Sequence, residues 1–559
     1  MRILFLTHAF NSLTQRLFVE LTRLGHEVSV EFDINRSVTI EAVGLFRPHL
    51  ILAPYLRRAI PEAIWRNHLC LVLHPGIVGD RGPSALDWAI LKSVQTWGVT
   101  LLQAEAEMDA GPVWASETFP MRAAKKTSLY RNEVTEAAVR VVNTALERLP
   151  DYRAGKWRPQ ALPPRPMHAL MQQTDRAIDW TRDTTDRVMA KLNASDGFPG
   201  VKDELFGHPC HLFNARPFPA RGTPGEVLGR NGEGVVRATV DGAVRIGHVK
   251  RAGGIKLPVT SAFKEVEALV ELDADADPDI RYEEVNGVGY LHFDFYNGAM
   301  GTGACRRLLA AYEVARQRPT RVIVLMGGPD FFSNGLDLNR IEAAYSPADE
   351  SWYNIEAMDD LCQAVIETTT HYTVAALQGN AGAGGAFLAL AADCVWARKG
   401  VILNPHYKNM GNLYGSEYWT YLLPKRVGEE AARRIMARRL PLGALEAEDI
   451  GFIEACFGDT VASFQAEVRR RAAALADTPG LLAYLAEKRA KRATEEATKP
   501  LAQYRAEELA HMKRNFYGFD PSYHVARYHF VNKTPHSWTP RHLAKHRELG
   551  WVVPGDGEW

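Results

Sequence analysis

Three groups of residues in this 559-residue chain have types and spacings that could do chemistry. The first is His74-Pro75-Gly76, followed by Gly79-Asp80-Arg81-Gly82-Pro83, by Gly98-Val99-Thr100 and by Asp109-Ala110-Gly111-Pro112. A histidine and a carboxylate can together bind an anionic oxygen and move protons. The plain alternative is a histidine that caps a strand end. The second group pairs Phe332-Ser333-Asn334-Gly335-Leu336-Asp337-Leu338 with Gln378-Gly379-Asn380-Ala381-Gly382-Ala383-Gly384-Gly385. Glycines there let backbone approach a ligand closely; the plain alternative is tight helix–sheet packing. The third is the run from Asn404 to Trp419, NPHYKNMGNLYGSEYW, dense in polar and aromatic side chains. Within it Glu417 is the acid–base candidate and Tyr407 its hydrogen-bonding partner, with Tyr414 as second choice. An aromatic surface loop is the alternative.

Elements must place these residues. Residues 1–150 alternate strand and helix. RILFLT is β-rich; Asn11, Ser12 and Thr14 can cap the helix running through LFVELTRLG, and Gly25 stops it. HEVSVEF, a helix near IEAVGLF, the run HLILAP and the strand LCLVLH come next, the last ending at His74. The pattern predicts a doubly wound parallel sheet, in which ligands sit beyond the carboxyl ends of the strands, where His74 falls. The first strand–helix turn, THAFNS, lacks G-x-G-x-x-G, so no dinucleotide is expected. The Pro-rich WRPQALPPRPM (157–167) then breaks the pattern. From Ala177 to about Ser261 one short helix and many short β runs suit a small OB-like β-barrel. ELDADADPDI (271–280) reads as a second linker. From Tyr282 strands and helices alternate again, and sequence from about Glu429 to Met512 is helix-rich, including the solvated LAEKRAKRATEEATKP. The fold class is α/β multidomain, divided at 1–165, 166–270 and 271–559.

Lys+Arg and Asp+Glu both number 66, giving zero formal charge. No nucleic-acid or membrane partner is expected, since either favours a basic excess. Six cysteines are scattered without C-x-x-C or metal spacing, and the C-terminal histidines (His511, His524, His529, His536, His542, His546) match no metal motif. No metal is expected. MRILFLTHAF reads as a first strand, and no apolar run approaches the ~18 residues of a membrane span, so a soluble, cytoplasmic protein is expected.

The first group resembles the catalytic core of the 10-formyltetrahydrofolate-dependent formyltransferases and hydrolases, whose pattern is N-x-H-P-S, a loop ending in R-G, then G-x-T and D-x-G-x. The resemblance covers about residues 1–150, and AIDW, NASDGFPGV and LFG in the middle segment resemble that family's C-terminal subdomain. It implies a Rossmann-like domain in which His74 stabilises a tetrahedral oxyanion, Asp109 moves protons, and Arg81 and Gly82 bind the folate. Two positions depart: the family's Asn is Val72 and its second His is Leu102. Losing an oxyanion donor costs about two to three orders of magnitude. Either the domain is weak, or another donor serves, or its acceptor differs from the usual amine, and ordinary formyltransferase activity is not expected.

The second group resembles the enoyl-CoA hydratase/isomerase (crotonase) superfamily over about 282–460, with a helical tail beyond. Asn297-Gly298-Ala299-Met300 resembles its first CoA-side turn. The resemblance implies an oxyanion hole from the N–H groups of Leu336 and Gly384, and coenzyme A contacts at Asn297 and Gly385. The hydratase glutamates are missing: one aligns with Phe387, the other falls near Pro405-His406. Hydration needs both, so ordinary hydratase activity is not expected.

The fusion, together with HYKNMGNLYGSEYWTYLLP, resembles the HypX/HoxX-type family of [NiFe]-hydrogenase maturation factors over nearly the whole chain. That resemblance implies 10-formyltetrahydrofolate and coenzyme A as cofactors, formyl transfer to the thiol, and decarbonylation of formyl-CoA to CO for the hydrogenase iron. Hydrogenase maturation proteins or the hydrogenase large subunit are the implied partners. Two other readings stay open: a formyl-folate hydrolase fused to an acyl-CoA hydrolase or isomerase, and a non-catalytic assembly module.

Overall fold

The computed structural model describes residues 1–162, 166–273, 277 and 279–547. Parts of both expected linkers (163–165, 274–276 and 278) and the end of the expected third domain (548–559) lie outside the described residues. The chain divides into two compact units, Met1–Gln172 with Pro535–Trp559, and Gln173–Thr534.

In the first unit a sheet runs β2-β1-β3-β4-β5-β6, with β1 (Arg2–Thr7), β2 (Glu27–Phe32), β3 (Leu50–Tyr55), β4 (Cys70–His74), β5 (Thr96–Gln103) and β6 (Val113–Pro120). Asn11 accepts from Thr14 N–H at 3.0 Å and caps the helix Ser12–Arg23, and Gly25 takes φ +79° beyond its end. The first four strands are parallel, but β5 and β6 are not: β4 pairs antiparallel with β5, and β5 with β6. The expected parallel sheet is thus mixed. β5 and β6 pair antiparallel because residues 104–112 join them directly, with no crossover helix, and Gln103 N–H bonds Pro112 O at 2.9 Å.

The C-terminal segment changes the expected division of the chain. Pro535 onward belongs to the first unit and not to the crotonase-like part. The cause is the sheet edge: β2 is an outer strand, and the tail takes up its outward N–H groups. Val30 N–H bonds Leu543 O at 3.0 Å and Phe32 N–H bonds Thr539 Oγ1 at 2.8 Å. The buried Glu31 carboxylate receives His546 Nε2 at 2.7 Å, Arg547 Nε at 2.8 Å and the Thr539 hydroxyl.

The second unit holds both remaining parts. The helix Thr185–Ser195 packs on an antiparallel sheet in the order β7-β8-β11-β10-β9, with β7 (Val201–Leu205), β8 (His208–Phe218), β9 (Val227–Asn231), β10 (Gly234–Ala238), β11 (Ala243–Arg251) and β12 (Lys256–Pro258), the last on β11. This small β part, expected as a separate domain at 166–270, falls in one unit with the crotonase-like part. Tyr296 Oη donates to Asp196 at 2.9 Å, Lys256 Nζ bonds the same phenol at 3.3 Å, and Arg340 pairs with Glu233.

The crotonase-like part is a sheet and a smaller sheet sharing one core. Its strands are β13 (Ile280–Val285), β14 (Val288–Phe293), β15 (Val322–Met326), β16 (Phe331–Ser333), β17 (Tyr372–Leu377), β18 (Asn380–Gly382), β19 (Cys394–Arg398), β20 (Ile402–Asn404), β21 (Leu442–Gly443) and β22 (Ala455–Phe457). The main sheet runs β13-β14-β15-β17-β19-β22 and the smaller one β16-β18-β20-β21. Apart from the β13–β14 hairpin the main sheet is parallel, and both of its faces carry buried aliphatic clusters. The smaller sheet lies beyond the carboxyl ends of β15, β17 and β19 and so brings the Gly-rich turns together. No helix is long and apolar enough to cross a membrane among the described residues.

Candidate functional sites

At the carboxyl end of β4, His74 is buried with its Nε2 2.7 Å from Asp80 Oδ2 and its Nδ1 3.7 Å from Asp109 Oδ2. With Nε2–H donating to Asp80, Nδ1 is left to the Asp109 side. A side chain on Gly76 would place Cβ 2.5 Å from both His74 Nε2 and Asp80 Oδ2, so glycine is required for this pair to form. Asp109 adopts φ +52° in the β5–β6 loop and is held there by Gly82 N–H at 3.1 Å. Arg81, also buried, donates to Met108 O at 2.9 Å and to Glu107 at 2.8 Å. Arg81 and Gly82, the expected folate contacts, thus pin the loop that carries Asp109. Val72 and Leu102, the two departures, are direct cross-strand partners on β4 and β5. They make an apolar pair beside His74 and Thr100, which also face each other.

The second candidate site is built on the Gly-rich turns. Gly335 takes φ +77°, and Met300 N–H bonds its carbonyl at 2.9 Å, which fixes the turn ahead of Leu336. Asn354, fully buried on the helix Pro347–Ile366, ties the same turn down: Nδ2 donates to Met300 O at 2.8 Å and Oδ1 accepts from Asp337 N–H at 3.2 Å. A Cβ on Gly335 would sit 3.3 Å from Gly384 N, so the two expected oxyanion turns are adjacent. Gly385 packs so closely on β16 that a Cβ would lie 2.5 Å from Ser333 C. That glycine serves helix–sheet contact. Asn297, at φ +57°, receives the Asn334 amide on its carbonyl at 2.8 Å.

Glu417 closes this site. Its carboxyl is fully buried against Gly384, where an added Cβ would fall 2.5 Å from its Cδ. Oε2 accepts from Tyr407 Oη at 2.5 Å and from Ser416 N–H at 3.2 Å, whereas Oε1 is buried with no hydrogen-bond partner among the described residues. Phe387, at the missing hydratase glutamate, stacks on Tyr407 at 5.5 Å and 14°. Gly415, at φ +93°, brings the chain against the Tyr407 ring. Tyr414 instead stacks on His511 at 4.0 Å. Glu417 and Tyr418 are successive non-glycine residues at φ +60° and +59°, a strain of roughly 1–3 kcal/mol each. Their N–H groups are held by Asp359 Oδ1 at 2.8 Å and Glu508 Oε2 at 2.9 Å. Burial, and then the charge of Asp359, push the Glu417 carboxyl well above the usual range. Burial likewise pushes the Tyr407 phenol up.

The sequence motifs singled out His74, Asp109, Tyr407, Glu417, Leu336 and Gly384, and the structure brings them into two groups. They missed Asp80 as the partner of His74, although Asp80 lay inside one of them. They also missed Asn354, Asp359 and Glu508, which sit on ordinary helices; Asp359 and Glu508 lie 58 and 90 positions from the residues they hold. Among the described residues no group of three His, Cys, Asp or Glu could hold a metal. His546 and His524 are engaged with Glu31 and Phe516 O.

Comparison with known proteins finds two families along the chain. A model of the enoyl-CoA hydratase/isomerase family matches residues 284–541, and one of the formyl transferase C-terminal domain matches 170–267. The chain is 53% identical over 556 residues to the hydrogenase maturation factor HoxX of Bradyrhizobium diazoefficiens, covering 98% of this chain and 97% of that protein. The chain belongs to the HoxX/HypX family of hydrogenase maturation factors. Crystal structures of HypX from Aquifex aeolicus agree with the family assignment. A two-substitution variant superposes with TM-score 0.96 at 47% identity, covering 99% of this chain and 100% of that one. A complex with tetrahydrofolic acid gives TM-score 0.95 at 48% identity over the same shares. Outside the family, methionyl-tRNA formyltransferase of Dechloromonas aromatica is 27% identical over 198 residues, 34% of this chain and 61% of that protein.

Proposed function

We propose that this chain transfers a formyl group from 10-formyltetrahydrofolate to the thiol of coenzyme A and then breaks formyl-CoA into CO and free coenzyme A, the CO serving the [NiFe] active-site iron. The observation that carries the reading is the Glu417–Tyr407 pair pressed against Gly384, in a crotonase-like site whose hydratase position is Phe387. A formyl thioester has no α-carbon, so neither an enolate nor hydration is open to it. What remains is loss of the formyl hydrogen as a proton together with the thiolate. That needs a proton acceptor near carbon and a donor near sulfur, both within reach of one carboxyl and its phenol. Leu336 and Gly384 N–H groups hold the carbonyl oxygen meanwhile.

In the first unit His74 takes the oxyanion role and Asp109 the proton-moving role, with Asp80 fixing the imidazole. The Val72–Leu102 pair removes two polar groups from the wall, which suits a soft thiol acceptor more than an amine. The tetrahydrofolate complex of the Aquifex HypX supports a folate as one of the substrates. The formyl transferase C-terminal and enoyl-CoA hydratase/isomerase family matches support the reading, and a side chain at Gly384 would displace the Glu417 carboxyl.

The test is purified protein with both substrates under anaerobic conditions. Wild type should release CO, and Glu417→Gln should accumulate formyl-CoA without CO. Formate as the sole one-carbon product of both proteins would replace this reading with a hydrolase.

A further inference from the structure

We propose that Asp359 and Glu508 are positioning residues that keep Glu417 an uncharged acid in the resting protein, with its Oε1 hydroxyl turned toward Gly384. This rests on the reading of Glu417 as the acid–base group. The donors around the three carboxyls are unevenly shared. Glu508 accepts from Tyr418 N–H at 2.9 Å, Thr420 N–H at 2.8 Å and Thr420 Oγ1 at 2.5 Å, and it shares the Ser416 hydroxyl, 3.3 Å away, with Asp359. These donors include the first free N–H groups of the helix Trp419–Val427, whose dipole favours a negative charge. Asp359 likewise meets only donors: Glu417 N–H at 2.8 Å and Ser416 Oγ at 2.9 Å, with Arg505 Nε 3.7 Å away. One hydroxyl hydrogen on Ser416 cannot serve both carboxylates at once, which couples them. Glu417 differs. Its Oε2 has two donors, but Oε1 has none among the described residues, and a bare anionic oxygen buried without a donor is the costliest arrangement in the cluster. A proton placed on Oε1 relieves it.

The groups facing Glu417 come from several elements. They are Asp359 and Cys362 on the helix Pro347–Ile366, Cys305 on the helix Thr302–Arg316, Tyr407 after β20 and Glu508 on the helix Leu501–Tyr517. The cysteines are buried thiols whose acidities burial suppresses, so they add no charge. Arg505 is the cation touching the cluster, and it sits on Asp359. Burial pushes Asp359 up to about 7 and Glu508 up to about 8, and burial together with the charge of Asp359 raises Glu417 well above the usual carboxylate range.

An uncharged Glu417 does both halves of the chemistry and is regenerated. Its Oε1 proton passes to the thioester sulfur as the C–S bond breaks and that electron pair leaves with sulfur. The formyl hydrogen passes as a proton to the carboxylate so formed, and the C–H pair stays on carbon as the lone pair of CO. One proton is given and one taken, so no co-reactant is needed.

Infrared difference spectroscopy of the full-length protein, wild type minus Glu417→Gln, tests the assignment without any turnover. A protonated-carboxyl C=O band belonging to Glu417 should be present at pH 7.5. In Asp359→Asn its titration midpoint should fall by about one pH unit or more, because a neighbouring like charge has been removed. Glu508→Gln should shift it in the same direction. Thermal melting reports separately whether each variant folds. Absence of the band at pH 7.5, or a midpoint unmoved in folded Asp359→Asn, overturns the proposal. The CO reading survives that result if CO is still made, and it fails by itself if the band is present and no CO appears.

Discussion

Gly384→Ala is the sharpest perturbation of the second site. The added Cβ would lie 2.5 Å from Glu417 Cδ and 3.1 Å from Met358 Sδ, where ordinary contact begins at 3.4 Å. The carboxyl must therefore retreat by about 1 Å, and a misplacement of that size costs on the order of 100-fold in a positioned reaction. The obstruction is the end of a side chain, so the variant should still fold. Gly385→Ala is the control, because its Cβ meets the Ser333 backbone, which cannot move aside, and it should lose stability instead. CO release from supplied formyl-CoA, read by the haemoglobin Soret shift, gives the rate, and a thermal melt gives the fold. Gly384→Ala should be roughly 100-fold slower with a near-wild-type melt. A folded Gly384→Ala that releases CO at the wild-type rate refutes this.

Tyr407→Phe removes one of the two donors on Glu417 Oε2 and should slow CO release about 10–100-fold, the cost of leaving a buried acceptor short of a partner, whereas Tyr414→Phe should change it little. Asp80→Asn leaves the shape of the first site but disturbs the His74 tautomer, so formyl transfer should drop by about 10²–10⁴-fold while breakdown of added formyl-CoA stays intact. In the tail, burial opposes the Glu31 charge, but hydrogen bonds from His546, Thr539 and Arg547 outweigh it and hold its pKa below the ordinary value of 4.5. A depressed carboxylate adds stability that is complete above the unfolded pKa and is lost as pH falls through the folded one. Residues 535–547 should resist proteolysis at neutral pH and become cleavable below about pH 4. Glu31→Gln should make them cleavable at pH 7, and equal protection of both proteins at pH 7 would contradict this.

The strand–helix alternation before His74 was legible because Asn11, Gly25 and the apolar runs are local signals, and local signals decide local structure. The reversal at β5 was not, since nothing in TWGVTLLQ distinguishes a parallel strand from an antiparallel one, and the helix Ala85–Leu91 before it reads as an ordinary crossover. The tail was misplaced for a related reason: Thr539 and His546 carry no periodic pattern, and their partner Glu31 lies 508 and 515 positions away. Glu417 and Tyr407 could be picked out because both lie within one unusual run. Asp359 and Glu508 could not, because a carboxylate on a helix reads as a solvated face until the fold buries it.

The central claim is that a formyl carbon leaves this protein as carbon monoxide. Wild-type protein given 10-[13C]formyltetrahydrofolate and coenzyme A should yield 13CO, trapped on reduced haemoglobin and read by its isotope-shifted C–O stretch, while Glu417→Gln yields none. Labelled formate with no 13CO from active wild-type protein would contradict the account.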